Sequence, residues 1–465
     1  MNVIISKKHL LKAIYAILGV LFAASWVKFC FLGYGVRLDL TLAFLLISIV
    51  LLATGVIMEY LTMLLFMSAI ILIGLAPQNV TFSGFASDGF WLIFAGIPLS
   101  MAIKKTGLAD RISLSMRQLF TGGYFILILG MTLFGLLLAF IMPSGMGRTV
   151  LMLPILIEFA LANGYEAGSK GYTGILLAGV FSSYLAGFAI LPSNLPNIIL
   201  MGAMHSSYHQ DLTYGHYFWL SFPVLGLIKL LLLSVVTSKL FHELPSKKTT
   251  QKIEKHSPLS KLERRLSLYL ILVLLAWLSD SYTHLSPAWP ALVAGVVCLL
   301  PKVGIFDHKH FFNEAKIEPL FYVGGLIGVS AVVSYTGLGT VLGDKVLALL
   351  PLSPGHNWSN YCWLSLLTLL VGTITTLPGV PAIMTPLAST ISNMTHLPLM
   401  TVFMTQVVGF STFILPYQAP PILVALRMSE LRLAAVTKLC LVMLVLTLVL
   451  VMPLNYLWWK LLGTI

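Results

Sequence analysis

Pro143-Ser144-Gly145-Met146-Gly147-Arg148-Thr149 interrupts a region that is otherwise apolar. Proline brings no backbone donor and clashes with the preceding turn, so an α-helix cannot run through it unbroken. Glycine opens backbone conformations that other residues avoid. Three more segments have the same character: Pro192-Ser193-Asn194-Leu195-Pro196-Asn197, Thr375-Thr376-Leu377-Pro378-Gly379-Val380-Pro381 and Pro416-Tyr417-Gln418-Ala419-Pro420-Pro421. Each carries Ser, Thr, Asn or Gln beside its prolines. Amides and carbonyls freed at such breaks must be buried in protein or turned to a polar cavity if they lie at membrane depth. Half-helix ends add partial charge, positive at N-termini and negative at C-termini. Four breaks therefore predict a small polar chamber. Its candidate contacts are Ser144, Gly145, Arg148 and Thr149; Ser193, Asn194 and Asn197; Thr375, Thr376, Pro378 and Gly379; and Gln418, Ala419 and Pro420.

The sequence around the breaks supports membrane depth. Of 465 residues, 58% are hydrophobic and 9% charged, where a soluble domain carries about a quarter charged residues. Apolar runs at 11–32, 38–57, 60–76, 218–238, 266–279 and 434–457 approach the roughly 20 residues that span a bilayer as a helix. The basic N-terminus followed by an apolar run imitates a signal peptide, and we read it as a retained first helix. The net charge of +12 does not point to nucleic acid, because its positions follow topology. Lys7, Lys8 and Lys12 precede the first run. Lys104, Lys105, Arg111 and Arg117 share one loop, the basic cluster from Lys247 to Arg265 another, and Lys302, Lys309 and Lys316 a third. A serpentine with its N-terminus in the cytoplasm and its C-terminus outside puts these on one face, as the positive-inside bias requires. Cys30, Cys298, Cys362 and Cys440 form no Cys-x-x-Cys pair and read as small apolar residues.

The two halves share an order of markers. Thr106-Gly107-Leu108 closes one apolar span and Thr336-Gly337-Leu338 another. Each is followed by a polar Pro/Gly break and then by a second Pro-rich break. The segment after the first marker is rich in Lys and Arg, whereas 339–360 holds only Lys345. That asymmetry suggests two copies of opposite orientation, an architecture used by transporters.

Arg148 has no acidic neighbour in sequence before Glu158, about 15 Å along a helix. A guanidinium at membrane depth is costly. Either its fork binds an anion bidentately, or it supplies a fixed positive charge where a cation would sit. The plainer reading is an Arg that pairs with carbonyls or snorkels to the surface. Glu158 is the main candidate for an intramembrane carboxylate. His205, His209 and His216 could approach a metal but read more simply as solvated loop residues. The sequence holds no phosphate-binding Gly-x-x-x-x-Gly-Lys loop and no dinucleotide fingerprint, so an ion or substrate gradient has to drive any transport.

Phe82-Ser83-Gly84-Phe85 through Trp91-Leu92-Ile93-Phe94 to Lys105-Thr106-Gly107-Leu108, the Pro143–Pro154 break, Ser193-Asn194-Leu195-Pro196-Asn197, and Phe413-Ile414-Leu415-Pro416 through Ala419-Pro420-Pro421 resemble the divalent-anion:sodium symporter family of carboxylate and sulfate transporters, within the ion transporter superfamily. The resemblance implies an all-α polytopic membrane protein of about eleven spans plus two re-entrant hairpins, at about 120–165 and 355–395. It implies two inverted repeats, a homodimer and an elevator motion of a transport domain against a scaffold. Scaffold spans would occupy 1–117 and 266–353, transport elements 118–241 and 354–465, with a cytosolic linker at 242–265. The function implied is secondary transport of a small anion such as a dicarboxylate, tricarboxylate or sulfate. No cofactor is implied beyond a coupling Na+ near Ser144, Gly147, Asn194, Thr375, Thr376 and Ala419. Here the sequence departs from the family. Hairpin tips there usually carry Ser-Asn-Thr, which helps hold sodium and the substrate carboxylate. Neither Ser144-Gly145-Met146-Gly147-Arg148-Thr149 nor Thr375-Thr376-Leu377-Pro378-Gly379 contains that Asn. The coupling ion is thus open between Na+, H+ and none. The competing readings are a cation/proton antiporter of the same superfamily and a membrane-embedded enzyme. The second needs converging His, Asp or Glu, which the spans nearly lack.

Overall fold

A computed structural model describes residues 35–54, 56–108, 111, 120, 122–246, 258–279, 283, 285–306, 308–429 and 431–465. The first expected span, 11–32, lies outside the described residues, as does most of the basic cluster after Lys247. Among the described residues there are helices and no strands. In chain order the principal helices are α1 (Val36–Thr54), α2 (Glu59–Ile73), α3 (Asp88–Thr106), α4 (Tyr124–Ile141), α5 (Gly145–Ala162), α6 (Lys170–Phe188), α7 (Leu195–Tyr208), α8 (Tyr214–Leu240) and α9 (Lys261–Leu278). They continue as α10 (Ala288–Leu299), α11 (Glu318–Tyr335), α12 (Leu338–Leu347), α13 (Asn357–Ile374), α14 (Gly379–Met384), α15 (Ala388–Thr395), α16 (Leu399–Phe410), α17 (Pro420–Met428) and α18 (Leu433–Leu461).

Each of the four predicted breaks falls between two helices: α4 and α5, α6 and α7, α13 and α14, α16 and α17. Six helices among the described residues are long and apolar enough to cross a membrane: α4, α5, α6, α8, α11 and α18. The helix α8 contains a π-helical segment at Phe222–Ile228, and α18 another at Thr447–Val451. Both segments lie next to a proline, Pro223 in the first and Pro453 after the second, where a missing N–H disturbs the regular ladder.

The chain folds as two compact units, and each draws on both ends of the sequence. The first takes the described residues up to Trp91, Ile198–Asp211 and Ile317–Phe410; the second takes Leu92–Asn197, Leu212–Lys316 and Ser411–Ile465. In the first unit α11 is the inner helix, buried from Tyr322 to Val333 and packed on α2.

In the second unit α6 is buried at every position from Gly171 to Phe188 and packs against α4, α5 and α8. Its small residues make this contact close. A Cβ built on Gly135 of α4 would stand 2.0 Å from Ser182 Oγ. Small residues at such contacts are how helices associate where lipid removes the hydrophobic drive. The head of α9 is fastened separately. Ser260 and Glu263 form a reciprocal capping box, and Arg111 grips the same carboxylate, with Nε 2.7 Å from Oε1 and Nη2 3.1 Å from Oε2. The hydrogen bond from Arg111 holds the Glu263 carboxyl down to about 2.

Candidate functional site

Three of the four breaks meet on the C-terminal half of α6 within the second unit. The first break supplies Arg148, which sits in the opening turn of α5 and is fully buried. Ser144 caps that helix by accepting from the Gly147 amide at 3.1 Å, which places Arg148 one turn in, facing α6. Its Nε donates to Ser183 Oγ at 3.0 Å and Nη2 to the Ser183 carbonyl at 3.1 Å. Nη1 donates to the Met142 carbonyl, to the Ser193 carbonyl at 3.1 Å and to Ser193 Oγ at 2.8 Å. Ser193 Oγ in turn donates to the Ala139 carbonyl at 2.8 Å.

The guanidinium is therefore enclosed by three carbonyls and two hydroxyls, all neutral. Met142 is the residue that ends α4, so part of this cradle is the negative end of a half-helix, where a cation is favoured. The arrangement does not present an open fork. Every nitrogen of Arg148 already donates to protein oxygen. That geometry favours a fixed internal cation over an anion clamp, and it adds two hydroxyls and a built enclosure to the plain carbonyl pairing.

The second break lies against the same stretch of α6. Asn194 Nδ2 donates to the Tyr184 carbonyl at 3.1 Å. Asn197 Nδ2 donates to the Gly187 carbonyl at 2.8 Å and the Ile190 carbonyl at 3.0 Å. Gly187 is what lets these groups close. A Cβ there would stand 2.7 Å from both Arg148 Nη2 and Asn194 Nδ2. Thr149, buried behind Arg148, returns its hydroxyl to the Gly145 carbonyl at 3.1 Å. A Cβ on Gly145 would come 3.1 Å from Asn194 Oδ1.

The fourth break reaches α6 through Phe413, whose ring lies 5.8 Å from those of Phe181 and Tyr184. Gln418 Oε1 ties the break to itself, accepting from the amides of Ile414 at 2.8 Å and Leu415 at 2.9 Å. Ala419 is buried and its carbonyl accepts from Ile422 at 2.9 Å, starting α17 at Pro420. The helix α17 packs along α5.

The third break belongs to the first unit. Thr375, at the end of α13, turns its hydroxyl to the Val371 carbonyl at 2.8 Å. Thr376 Oγ1 lies 3.4 Å from the Tyr322 hydroxyl of α11. The Gly379 amide donates to the Thr376 carbonyl at 2.9 Å, with Pro378 leading into α14. Between α14 and α15, Tyr208 of α7 donates to the Thr385 and Pro386 carbonyls at 3.0 and 3.1 Å.

Several expected groups stand elsewhere. Glu158 lies on the exposed face of α5, away from the Arg148 cradle. His205 Nδ1 contacts Asp211 Oδ1 at 2.8 Å, and the described residues hold no group of three His, Cys, Asp or Glu suited to a metal. The sequence reading missed Ser183, Gly187 and Lys229. Ser182-Ser183 in the middle of α6 was a legible signal. So was Lys229 alone inside the apolar run 218–238, since an ionisable residue there is by default a functional candidate.

Helices broken by prolines around a buried, ligand-like cradle define an all-helical membrane transporter fold. The family described as the sodium:sulfate symporter transmembrane region matches residues 16–465, and the chain belongs to it. It is accordingly an integral membrane protein of a transporter family rather than an enzyme. A membrane protein of Cupriavidus necator is 23% identical over 371 residues, covering 75% of this chain and 70% of that one. The L-tartrate/succinate antiporter of Escherichia coli K12 is 26% identical over 281 residues, covering 57% of this chain and 56% of that one. Among solved structures, the YdaH transporter of Alcanivorax borkumensis is similar with a TM-score of 0.56 at 16% identity, covering 83% of this chain and 88% of that one. At that identity the likeness speaks to the fold alone.

Proposed function

We propose that the protein is a secondary carrier of small dicarboxylates or related oxyanions in which Arg148 acts as a built-in cation, so that transport does not require Na+ at the first hairpin tip. One observation carries this reading: the guanidinium is buried in a cradle of three carbonyls and two hydroxyls, with no acidic partner among the described residues. Such a set of neutral oxygens is what a hard monovalent cation would coordinate, and Arg keeps its charge at all working pH. The positive charge left uncompensated favours an anion nearby. Substrate then contacts the polar groups around the cradle rather than the fork itself: Ser144, Gly145, Thr149, Asn194 and Asn197, with Gln418, Ala419 and Pro420. On the third break the contacts are Thr375, Thr376, Pro378 and Gly379.

The relative that exchanges L-tartrate and succinate supports a dicarboxylate, while the family's name keeps sulfate in the comparison. The finer architecture belongs to the same proposal: eleven spans and two re-entrant hairpins, in two inverted copies. The recurrence of helix, break, helix, break in each half supports it. So do the scaffold and transport segments at 1–117, 118–241, 266–353 and 354–465, the homodimer, the cytoplasmic N-terminus and the elevator motion. Reconstituted vesicles test the reading. Unlabelled succinate, tartrate and sulfate compete against labelled succinate, with and without Na+ and a pH gradient. Competition by the organic dianions with no gain from Na+ is the expected result. Absence of uptake of any of the three would sink it.

A further inference from the structure

Lys229 is a second buried cation, apart from the Arg148 cradle. Arg148, Lys229 and Glu263 are the buried charged side chains among the described residues, and Glu263 belongs to the fastening of α9 by Arg111. Lys229 follows directly on the π-helical segment of α8, inside a stretch long and apolar enough to span a membrane. Its Nζ donates to the Ser411 carbonyl at 2.7 Å and reaches Thr412 Oγ1 at 3.3 Å and Ser411 Oγ at 3.5 Å. These residues open the fourth break.

The surroundings are suited to a group that changes its charge. A cavity of about 10 Å³ adjoins Lys229, lined by Phe181, Leu185, Phe413, Cys440 and Thr447, room for about one water. Thr447 begins the second π-helical segment. Two such segments thus border one lysine, and π-bulges gather at functional positions. The partners of Nζ are one carbonyl and two hydroxyls. A hydroxyl accepts from an ammonium and, once rotated, donates to a neutral amine, so the same cradle serves both states. A guanidinium offers no such choice, which separates Lys229 from Arg148. The elements packed against α8 are α4, α6, α9, α18 and the turn Leu191–Ser193. Their titratable and charged groups are Tyr124; Lys170, Tyr172 and Tyr184; Lys261, Glu263, Arg264, Arg265 and Tyr269; and Lys438, Cys440, Tyr456 and Lys460, with Tyr417 on the fourth break and Tyr214, His216, Tyr217 and Lys239 on α8 itself. Of these, Cys440 alone lines the cavity.

We propose that Lys229 is the proton site of the carrier, taking one H+ onto Nζ on one side of the membrane and releasing it to water on the other, so that anion movement is coupled to H+. The exchange is a simple acid–base one. The amine lone pair binds the proton, no bond to substrate forms, and water receives the proton at release. This rests on the anion-carrier reading and adds the coupling ion to it.

The full-length protein in vesicles tests it, with labelled succinate, tartrate and sulfate as probes and a pH-sensitive dye trapped inside. The readout is the ratio of uptake driven by a one-unit pH gradient to uptake at equal pH. One coupled proton allows a ratio of up to roughly tenfold, and the wild type is expected to give several-fold together with dye-detected proton flux. In Lys229→Arg and Lys229→Met the ratio falls to about 1 whatever the absolute rate, because neither side chain exchanges a proton, whereas Cys440→Ser keeps the wild-type ratio. A lysine that merely braces the fourth break would change rates and leave the ratio intact. Wild-type uptake that ignores the pH gradient overturns the assignment while leaving anion transport standing, and so does a ratio preserved in Lys229→Arg. No uptake of any probe removes the anion-carrier reading itself, and the proton assignment with it.

Discussion

The first break and the third are built from similar sequence and finished differently. Both join two helices through a Pro/Gly break that carries two hydroxyl residues, at 143–149 and 375–381. In the first, Arg148 draws carbonyls and hydroxyls from three separate places in the chain, Met142, Ser183 and Ser193, around one charge. In the second, there is no charged residue from Thr375 to Pro381, and Thr375 bonds back to its own helix. The difference teaches that a break in a membrane helix can be satisfied from within by a fixed cation, or left neutral with its hydroxyls on local backbone.

Removing the charge is the most forceful way to break the comparison. Arg148→Ala leaves buried carbonyls without donors, each costing about 1–3 kcal/mol, so succinate uptake should fall below a tenth of wild type and the apparent melting temperature should drop in a thermal-shift assay. Arg148→Lys keeps the charge but cannot span the same acceptors, and its uptake should fall between the two. Near-normal uptake by both variants would remove Arg148 from the site.

Crowding the cradle is the next largest test. Gly187→Ala puts a methyl 2.7 Å from Arg148 Nη2 and Asn194 Nδ2, and such overpacking costs roughly 1–3 kcal/mol. The expected result is a lowered melting temperature with uptake reduced several-fold. An unchanged melting temperature would mean that the two side chains sit further from α6 than described.

At the neutral break the expected effects are smaller. Thr376→Val removes a hydroxyl that stands beside Tyr322 and should raise the half-saturating succinate concentration about threefold, consistent with the loss of about one neutral hydrogen bond. A loss deeper than that of Arg148→Ala would reverse the ranking of the two breaks. The smallest effect concerns the head of α9. The Glu263 carboxyl is depressed from 4.5 to about 2 chiefly by the hydrogen bond from Arg111. A depressed carboxylate stabilises the fold above its unfolded value and loses that contribution as pH falls through the folded one. Melting temperature should therefore decline between about pH 4.5 and 2, less in Glu263→Gln than in wild type, and transport near neutral pH should not change.

Much of this was legible in the sequence because breaking a membrane helix takes conspicuous residues. Pro143, Pro192, Pro378 and Pro416 marked all four interruptions, and the apolar runs 38–57, 60–76, 218–238 and 434–457 fall on α1, α2, α8 and α18 within a few residues. Arg148 announced itself as a charge out of place. What the sequence could not supply was which partners it met. Ser183 and Ser193 lie far from it along the chain, and the Met142 and Ala139 carbonyls exist in every sequence. The placement of Glu158 was hidden for a related reason: apolar neighbours in sequence do not say which face of α5 is buried, and the helix turns that residue outward. The polar character of α6 is also weak in sequence, because its packing rests on glycines and serines rather than on bulky apolar residues.

The central claim is that the charge of Arg148 stands in for a bound cation, and succinate uptake measured at clamped membrane potential while choline replaces Na+ addresses it most directly. The account predicts rates that stay within about twofold across the replacement, since the oxygens at the first break that could coordinate a metal ion already accept from Arg148. A steep rise of uptake with Na+ in the wild type would contradict it.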